Sequence, residues 1–509
     1  MRLTVKQPTF LKDIEQALAV VAERAGLNRE ALEELTVPTF DLEQGCRLLG
    51  FGSATAQMQV VGTTVHVQWY DATGRTLKAE PAEVKRTLKT ELKELKRQVE
   101  MMNTILKVQR DRLEQLPLTE RTWPLVVWRE RYLDHPLIGP LARTLLWRFH
   151  DGERIVSGIW CDGQLVNVYD QPLNLSEAAN VSTWHPLHCE AAEILAWQLW
   201  LERHHVTQPF KQAHREVYLL TDAERTTRTY SNRFAAHILR QHQFHALATA
   251  RRWHNQLRLM VDNEYAPTTL LLPQWGLRAE FWVAGVSGEY SEVTNEAGTY
   301  LYLTTDQVRF YPIDASRNSA HASRGSYRAV DRPGEQLVSP LEPLPLEHIP
   351  PIVFSEVMRD VDLFVSVASI GNDPIWQDSA LQGQYHDYWH TYSFGTLSAT
   401  AQTRKELLSR LLPCLEISER CSIEGHFLRV RGDLRTYNIH LGSGNILMEP
   451  NAQYLCIVPE RGAASAPTDK LFLPFEGDSM LTVILSKAFL LAEDTKITDP
   501  NIIRQIRRG

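Results

Sequence analysis

"RGDLRTYNIHLGSGN", Arg431–Asn445, sets an Asp five residues ahead of an Asn and then brackets a serine with two glycines. Its flanks decide what it builds. "HFLRVRGDLRTYNIHL" alternates apolar and polar residues on both sides of Gly432-Asp433, which is the period of strands and not of helices. The stretch is therefore predicted as an antiparallel β-meander: "FLRV" turns at Arg431–Asp433, "LRTYNIHL" puts Tyr437, Ile439 and Leu441 on one face, and Gly442–Asn445 supplies the next turn.

The same letters also spell chemistry. Asp433 and Asn438 have the spacing of a kinase catalytic loop, in which the Asp accepts a hydroxyl proton and the Asn holds magnesium. Arg431 stands where that loop carries His, no Asp-Phe-Gly follows, and the next Asp is Asp469. His440, Ser443 and Asn445 surround a loop whose backbone N–H groups could form an anion-binding nest for a nucleotide or phosphate. A His beside a Gly in a strand also serves ADP-ribosyltransferases, although the glutamate such chemistry needs is not assignable. The candidate ligand-binding set is thus Asp433, Asn438, His440, Gly442, Ser443, Gly444 and Asn445.

Two histidine pairs have spacings that bear on metal binding. His185 and His188 stand three apart beside Cys189, but a structural zinc needs four ligands and no second cluster lies at matching spacing. His386 and His390 lie four apart among Tyr385, Tyr388, Trp389 and Tyr392, without the Glu of a zinc protease, and read as an aromatic cluster. No metal and no cofactor is expected.

The 509 residues carry a formal charge of −7 and a pI near 6.2, so no global field draws in nucleic acid or anionic lipid. "RRWHNQLR", with Trp253 as a stacking ring, and "IIRQIRRG" are the local exceptions. Six scattered cysteines without a CxxC pair imply reduced thiols. No signal core opens the chain and no run reaches membrane-spanning length, so a soluble cytoplasmic protein is expected.

Apolar periodicity predicts a helix within Phe10–Val37, strands around Val65, Val67 and Trp69, and a long helix over Pro81–Leu116. The seam of that helix calls for an antiparallel helical partner in its own domain or a second copy. Asp151-Gly152 and Asp162-Gly163 mark hairpins, with helices over Cys189–His204 and Ser231–His242. Ile313–Pro351, poor in large apolar residues, reads as a linker. The expectation is a multi-domain α+β chain: 1–115 helical and β with the long helix, 116–312 a mixed central domain, 313–351 the linker, and 352–509 a C-terminal α+β domain with the meander.

"RYLDHPLIGPLARTLLWRF", "WHPLH" and "QPFKQAHREVYLLTDAE" resemble the central domain of unknown function 4132 of the bacterial MolR-like proteins, or molybdate metabolism regulator-like proteins. "FSEVMRDVDLFVSVASIGNDP", "YNIHLGSGNILMEPNAQYLCIVP" and "ILSKAFLLAEDTKITDP" resemble the C-terminal domain that accompanies it. The resemblance implies architecture more than mechanism. The expected function is a non-catalytic regulatory or protein-interaction module with unidentified protein partners. The alternatives are a nucleotide-using transferase, ADP-ribosyl- or phosphotransferase-like, centred on 433–445, and a nucleic-acid-associated factor. Whether the chain is full length, and its oligomeric state, stay open.

Overall fold

The computed structural model describes residues 29–261, 263–323, 327–332, 335–336, 342–374, 383–458 and 472–508, with a few positions between 16 and 26. The chain divides into two compact units, Met1–Arg215 with Leu473–Gly477, and Glu216–Phe472 with Asp478–Gly509. This partition does not follow the expected boundaries at 115/116 and 312–351. In the first unit the long helix shares one core with the elements on both sides of residue 115.

The described positions between 16 and 24 are helical, the short helix α1 (Arg29–Leu35) follows, and most of the rest of the expected Phe10–Val37 helix lies outside the described residues. A four-stranded meander follows: β1 (Cys46–Phe51), β2 (Ala54–Val61), β3 (Thr64–Tyr70) and β4 (Thr76–Leu77). Its inward faces alternate as a half-buried sheet must, with Ala54, Ala56, Met58 and Val60 buried along β2.

The predicted long helix forms as two pieces, α2 (Ala82–Thr87) and α3 (Lys89–Gln115), broken at Leu88, whose φ of −118° and ψ of 49° are not helical. Leu92, Leu95, Met102 and Leu106 of its seam join the core that holds Met58, Val65 and Trp69. Among the described residues the seam packs chiefly on the β1–β4 sheet. The Asn103 side chain fixes the match by accepting the Val65 backbone N–H at 2.7 Å.

A five-stranded antiparallel sheet completes this unit, in the order β5 (Thr122–Pro124), β9 (Asn180–Thr183), β6 (Trp147–Asp151), β7 (Arg154–Cys161), β8 (Gln164–Val166). Both Asp-Gly hairpins form where expected, with Gly152 and Gly163 at φ of +62° and +87°. Helix α4 (Ala191–Arg203) matches the predicted Cys189–His204 segment.

In the second unit the expected Ser231–His242 helix gives way to strand β10 (Ile238–Arg240) followed by helix α5 (Gln241–Ala250). Ile238–Arg240 pairs with Tyr302–Thr304, and tertiary pairing of this kind overrides a weak local helical pattern. The sheet order is β10, β14 (Tyr302–Pro312), β13 (Leu277–Gly285), β12 (Thr268–Leu272). The supposed linker is also partly sheet: β15 (Arg317–His321) and β16 (Arg328–Arg332) lie between β11 (Glu264–Tyr265) and β17 (Glu335–Gln336). Backbone pairing needs no large side chains, which is why composition hid these strands.

Helices α6 (Pro351–Ala368), α7 (Gly383–Phe394) and α8 (Ala399–Leu411) lead into the predicted meander. Its five strands, β18 (Cys421–Glu424), β19 (Phe427–Arg431), β20 (Thr436–His440), β21 (Ile446–Met448) and β22 (Gln453–Leu455), pair in chain order. Helix α9 (Ser479–Ala492) packs on β19 and β20, and α10 (Pro500–Arg508) closes the described chain. The fold class is multi-domain α+β, as the sequence implied. Among the described residues no helix is long and apolar enough to cross a membrane.

Candidate functional site

Strand β20 carries the opening motif, and its pleat distributes the candidate residues. Tyr437, Ile439 and Leu441 are fully buried on the predicted face. Asp433 lies in the turn before β20, whereas His440 ends the strand. Five residues of extended chain, at about 3.3 Å each, separate the two ends. Asn438 lies between them and donates to Glu449 at 3.2 Å, a carboxylate that also takes both arms of the Arg429 fork at 2.9 Å. Asp433, Asn438 and His440 therefore face three different environments.

At the His440 end the imidazole is 1% exposed. The Ser443 backbone N–H donates to Nδ1 at 3.2 Å, so Nδ1 is the unprotonated nitrogen and Nε2–H donates to the Gly395 carbonyl at 3.0 Å. Burial pushes the pKa of His440 down to about 4, which holds the ring neutral. The Ser443 hydroxyl donates to Ser393 O at 2.7 Å and accepts the Asn445 backbone N–H at 3.2 Å. The Asn445 side-chain amide donates to Ser393 Oγ at 3.0 Å and Gly371 O at 3.3 Å.

Gly444 has a φ of +71°, and its N–H donates to His440 O at 2.9 Å. A Cβ on Gly442 would stand 3.0 Å from His440 Cε1. An anion nest uses free backbone donors, and of the loop's N–H groups those of Ser443, Gly444 and Asn445 already have protein acceptors. Chemically this arrangement ties the end of α7 and the Gly371 turn to the sheet. Beneath it, Lys487 donates to Gly444 O at 2.8 Å, and burial lowers that ammonium's pKa to about 8.

At the opposite end Asp433 is exposed and pairs with Arg420 at 2.8 Å, which holds its carboxyl below the usual range. The residue that organises this turn is Asp494, which the sequence reading did not single out. Its carboxylate, 2% exposed, accepts the backbone N–H of Asp433, Leu434 and Arg435 and the Tyr437 hydroxyl. The nearest sequence signal is only an Asp after a long apolar helix.

The two histidine pairs have different settings. His185 caps a single turn by accepting the Leu187 N–H at 3.1 Å, and among the described residues no cluster of His, Cys, Asp or Glu could hold a metal ion. His386 and His390 lie on the outer side of α7, while Trp389 is buried and donates to Asp373 O at 2.9 Å. Trp253 is 2% exposed and donates to Asp360 at 2.9 Å, so its ring is not open for stacking on a base.

A second polar centre, in the first unit, has no motif behind it. Glu34 of α1 has a side chain that is 1% exposed. Its Oε1 accepts from Arg112 at 3.2 Å, Arg121 at 2.7 Å and the Tyr132 hydroxyl at 2.7 Å. Oε2 accepts from Arg131 at 3.1 Å and Trp123 Nε1 at 3.3 Å. Three guanidiniums thus meet one carboxylate. An open trough of about 500 Å³ lies elsewhere in this unit, with Trp69, Leu92 and Leu95 among its lining residues and Glu80, Lys96, Glu100 and Lys107 beside them. Those charges are mixed, so the trough selects neither anion nor cation.

Comparison with known proteins gives two domains of undefined activity. Residues 74–253 match a family model described as a domain of unknown function (DUF4132), and residues 401–506 match a second, described as a domain of unknown function (DUF7737). The first covers the long helix, the five-stranded sheet and the three arginines of the centre but not Glu34, and the second covers the meander with its glycine turn. Among curated proteins the chain is similar to the "Uncharacterized protein YehI" of Escherichia coli (strain K12), at 22% identity over 228 residues. That match takes in 41% of this chain and 18% of the length of YehI. No solved structure matches the chain.

Proposed function

We propose that the chain is a cytoplasmic, non-catalytic regulatory or protein-interaction module of the MolR-like kind, acting through protein partners. The observation that carries this reading is the internal use of the polar atoms of the His440–Asn445 turn. The imidazole, the serine hydroxyl and the asparagine amide all bond within the fold, and Asp433 lies at the far end of the same strand. A reaction centre needs donors and acceptors aimed at a substrate, whereas these are aimed at Ser393, Gly395 and Gly371.

Thermal melting with ATP, NAD and GTP tests the reading. The expected result is no shift with any of the three. A rise of several degrees that His440→Ala abolishes, while a thermally matched core variant keeps it, would replace the module with the nucleotide-using transferase. Salt-sensitive binding of DNA or RNA would instead favour the nucleic-acid-associated factor.

A further inference from the structure

The tri-arginine centre around Glu34 has more positive charge than its own fold uses. Arg112, Arg121 and Arg131 bring three cations to a single carboxylate, so the cluster keeps a formal excess of two. Donors exceed acceptors as well. Arg112 is 8% exposed, yet its Nη2 has no hydrogen-bond partner, and neither does Nε of Arg131. Uncompensated buried charge is costly, and a guanidinium fork matches oxyanions with more oxygens than a carboxylate offers. The Tyr132 hydroxyl and the Trp123 N–H add two neutral donors aimed at the same point.

The occupant of this centre comes from a different element than the donors that surround it. Glu34 belongs to a helix of seven residues, too short to persist without the packing of its buried Ala31 and Leu32. The three arginines and the two aromatic donors belong instead to α3 and to the segment from Arg121 to Tyr132, which share the large core of the unit. Arg121 and Arg131 side chains are each 16% exposed, so the cluster has an edge open to water. Removal of the carboxylate would leave five convergent donors in place.

We propose that Arg112, Arg121, Arg131, Tyr132 and Trp123 form a binding site for a phosphate-type dianion, and that Glu34 is a tethered carboxylate that occupies the site until such an anion displaces it. A dianion neutralises more of the charge excess than one carboxylate, and its oxygens can take the N–H groups now left over. The tether lends Glu34 a high local concentration, so phosphate competes at a disadvantage in the native chain. Displacement would release α1, which makes the site a switch on the N-terminal segment. The inference is independent of the role assigned to the glycine turn.

Inorganic phosphate is the probe, with the full chain melted in a phosphate series against chloride at equal ionic strength. Glu34→Gln is expected to lose several degrees in chloride and to recover them in phosphate, with a midpoint at least tenfold below that of the native chain. Adding Arg121→Ala to that variant should abolish the recovery while leaving any general salting-out effect in place. Equal phosphate responses in Glu34→Gln and in the double variant would overturn the proposal. Should Glu34→Gln fail to fold, cleavage of the native chain by a glutamate-specific protease at Glu30 and Glu33 decides the matter. Phosphate should accelerate it several-fold, Arg121→Ala should remove the acceleration, and an unchanged rate in the native chain would sink the idea.

Discussion

Both carboxylate oxygens of Asp494 accept the Leu434 backbone N–H, at 3.1 and 3.0 Å, and the same group takes the Tyr437 hydroxyl at 2.8 Å. A side chain sixty residues downstream therefore holds the first turn of the motif. Asp494→Ala would strand three backbone donors and a buried phenol, and is expected to cost about 3 kcal/mol of stability, read from urea unfolding. Asp433→Ala, which removes an exposed ion pair, should change the urea midpoint far less. The reverse ranking would show that Asp433 does work beyond the turn.

His440 makes a prediction about acid. Its folded pKa, about 4, lies below the ordinary 6.5 because burial penalises the cation. Between these values the unfolded chain takes up a proton that the native ring refuses, so the contribution is complete above pH 6.5 and is lost as pH falls to 4. The loss is on the order of 3 kcal/mol. His237 is depressed to a similar value, so the useful quantity is the difference between the native chain and His440→Gln. The glutamine keeps a donor for Gly395 O and should flatten the unfolding profile over that window. Parallel profiles would contradict the neutral, buried ring.

Lys487 acts at the other end of the scale. Burial lowers its pKa from 10.5 to about 8, so below pH 8 the fold bears the cost of a desolvated ammonium. From pH 8 to 10.5 the unfolded chain holds a proton that the native side chain has released, and stability rises with pH by on the order of 3 kcal/mol. Lys487→Met gives up the bond to Gly444 O but also the desolvation cost. It is expected to match or exceed native stability at pH 7.5 and to lose that advantage at pH 9.5, as urea midpoints at the two pH values would reveal.

Gly444 combines a left-handed φ with a close neighbour, since a Cβ there would lie 2.9 Å from Met480 Sδ. Gly444→Ala should cost about 1 to 2 kcal/mol from backbone conformation alone. Met480→Ala in the same chain relieves the contact without altering the backbone term. Calorimetric melting should show partial rescue in the double variant, and full rescue would assign the whole penalty to crowding.

Alternation and turn glycines made the local build legible. Tyr437, Ile439 and Leu441 announce one buried face, and Gly152, Gly163 and Gly444 mark turns that form. The polar partners were not legible, because a hydrogen bond from Ser443 to Ser393 or from Leu434 to Asp494 leaves no trace in neighbouring residues. The spacing of Asp433 and Asn438 is silent on their partners for the same reason: spacing along a strand places residues on a pleat without saying what stands opposite. The centre at Glu34 is the extreme case, assembled from residues 34 to 132 with no pattern that joins them. The strands at Arg317–His321 and Arg328–Arg332 were hidden because their stability comes from backbone pairing and not from apolar content.

The chain-order pairing of Cys421–Leu455 bears on how the molecule acquires its shape. Each strand there meets the next across a connection of a few residues, so closing these loops costs little entropy and the five strands can assemble early. Strand Ile238–Arg240 must instead wait for Tyr302–Thr304, some sixty positions away. Pulse-labelled hydrogen exchange during refolding would then protect the amides of Leu428 and Ile439 before that of Leu239, which makes the glycine turn a seed of assembly.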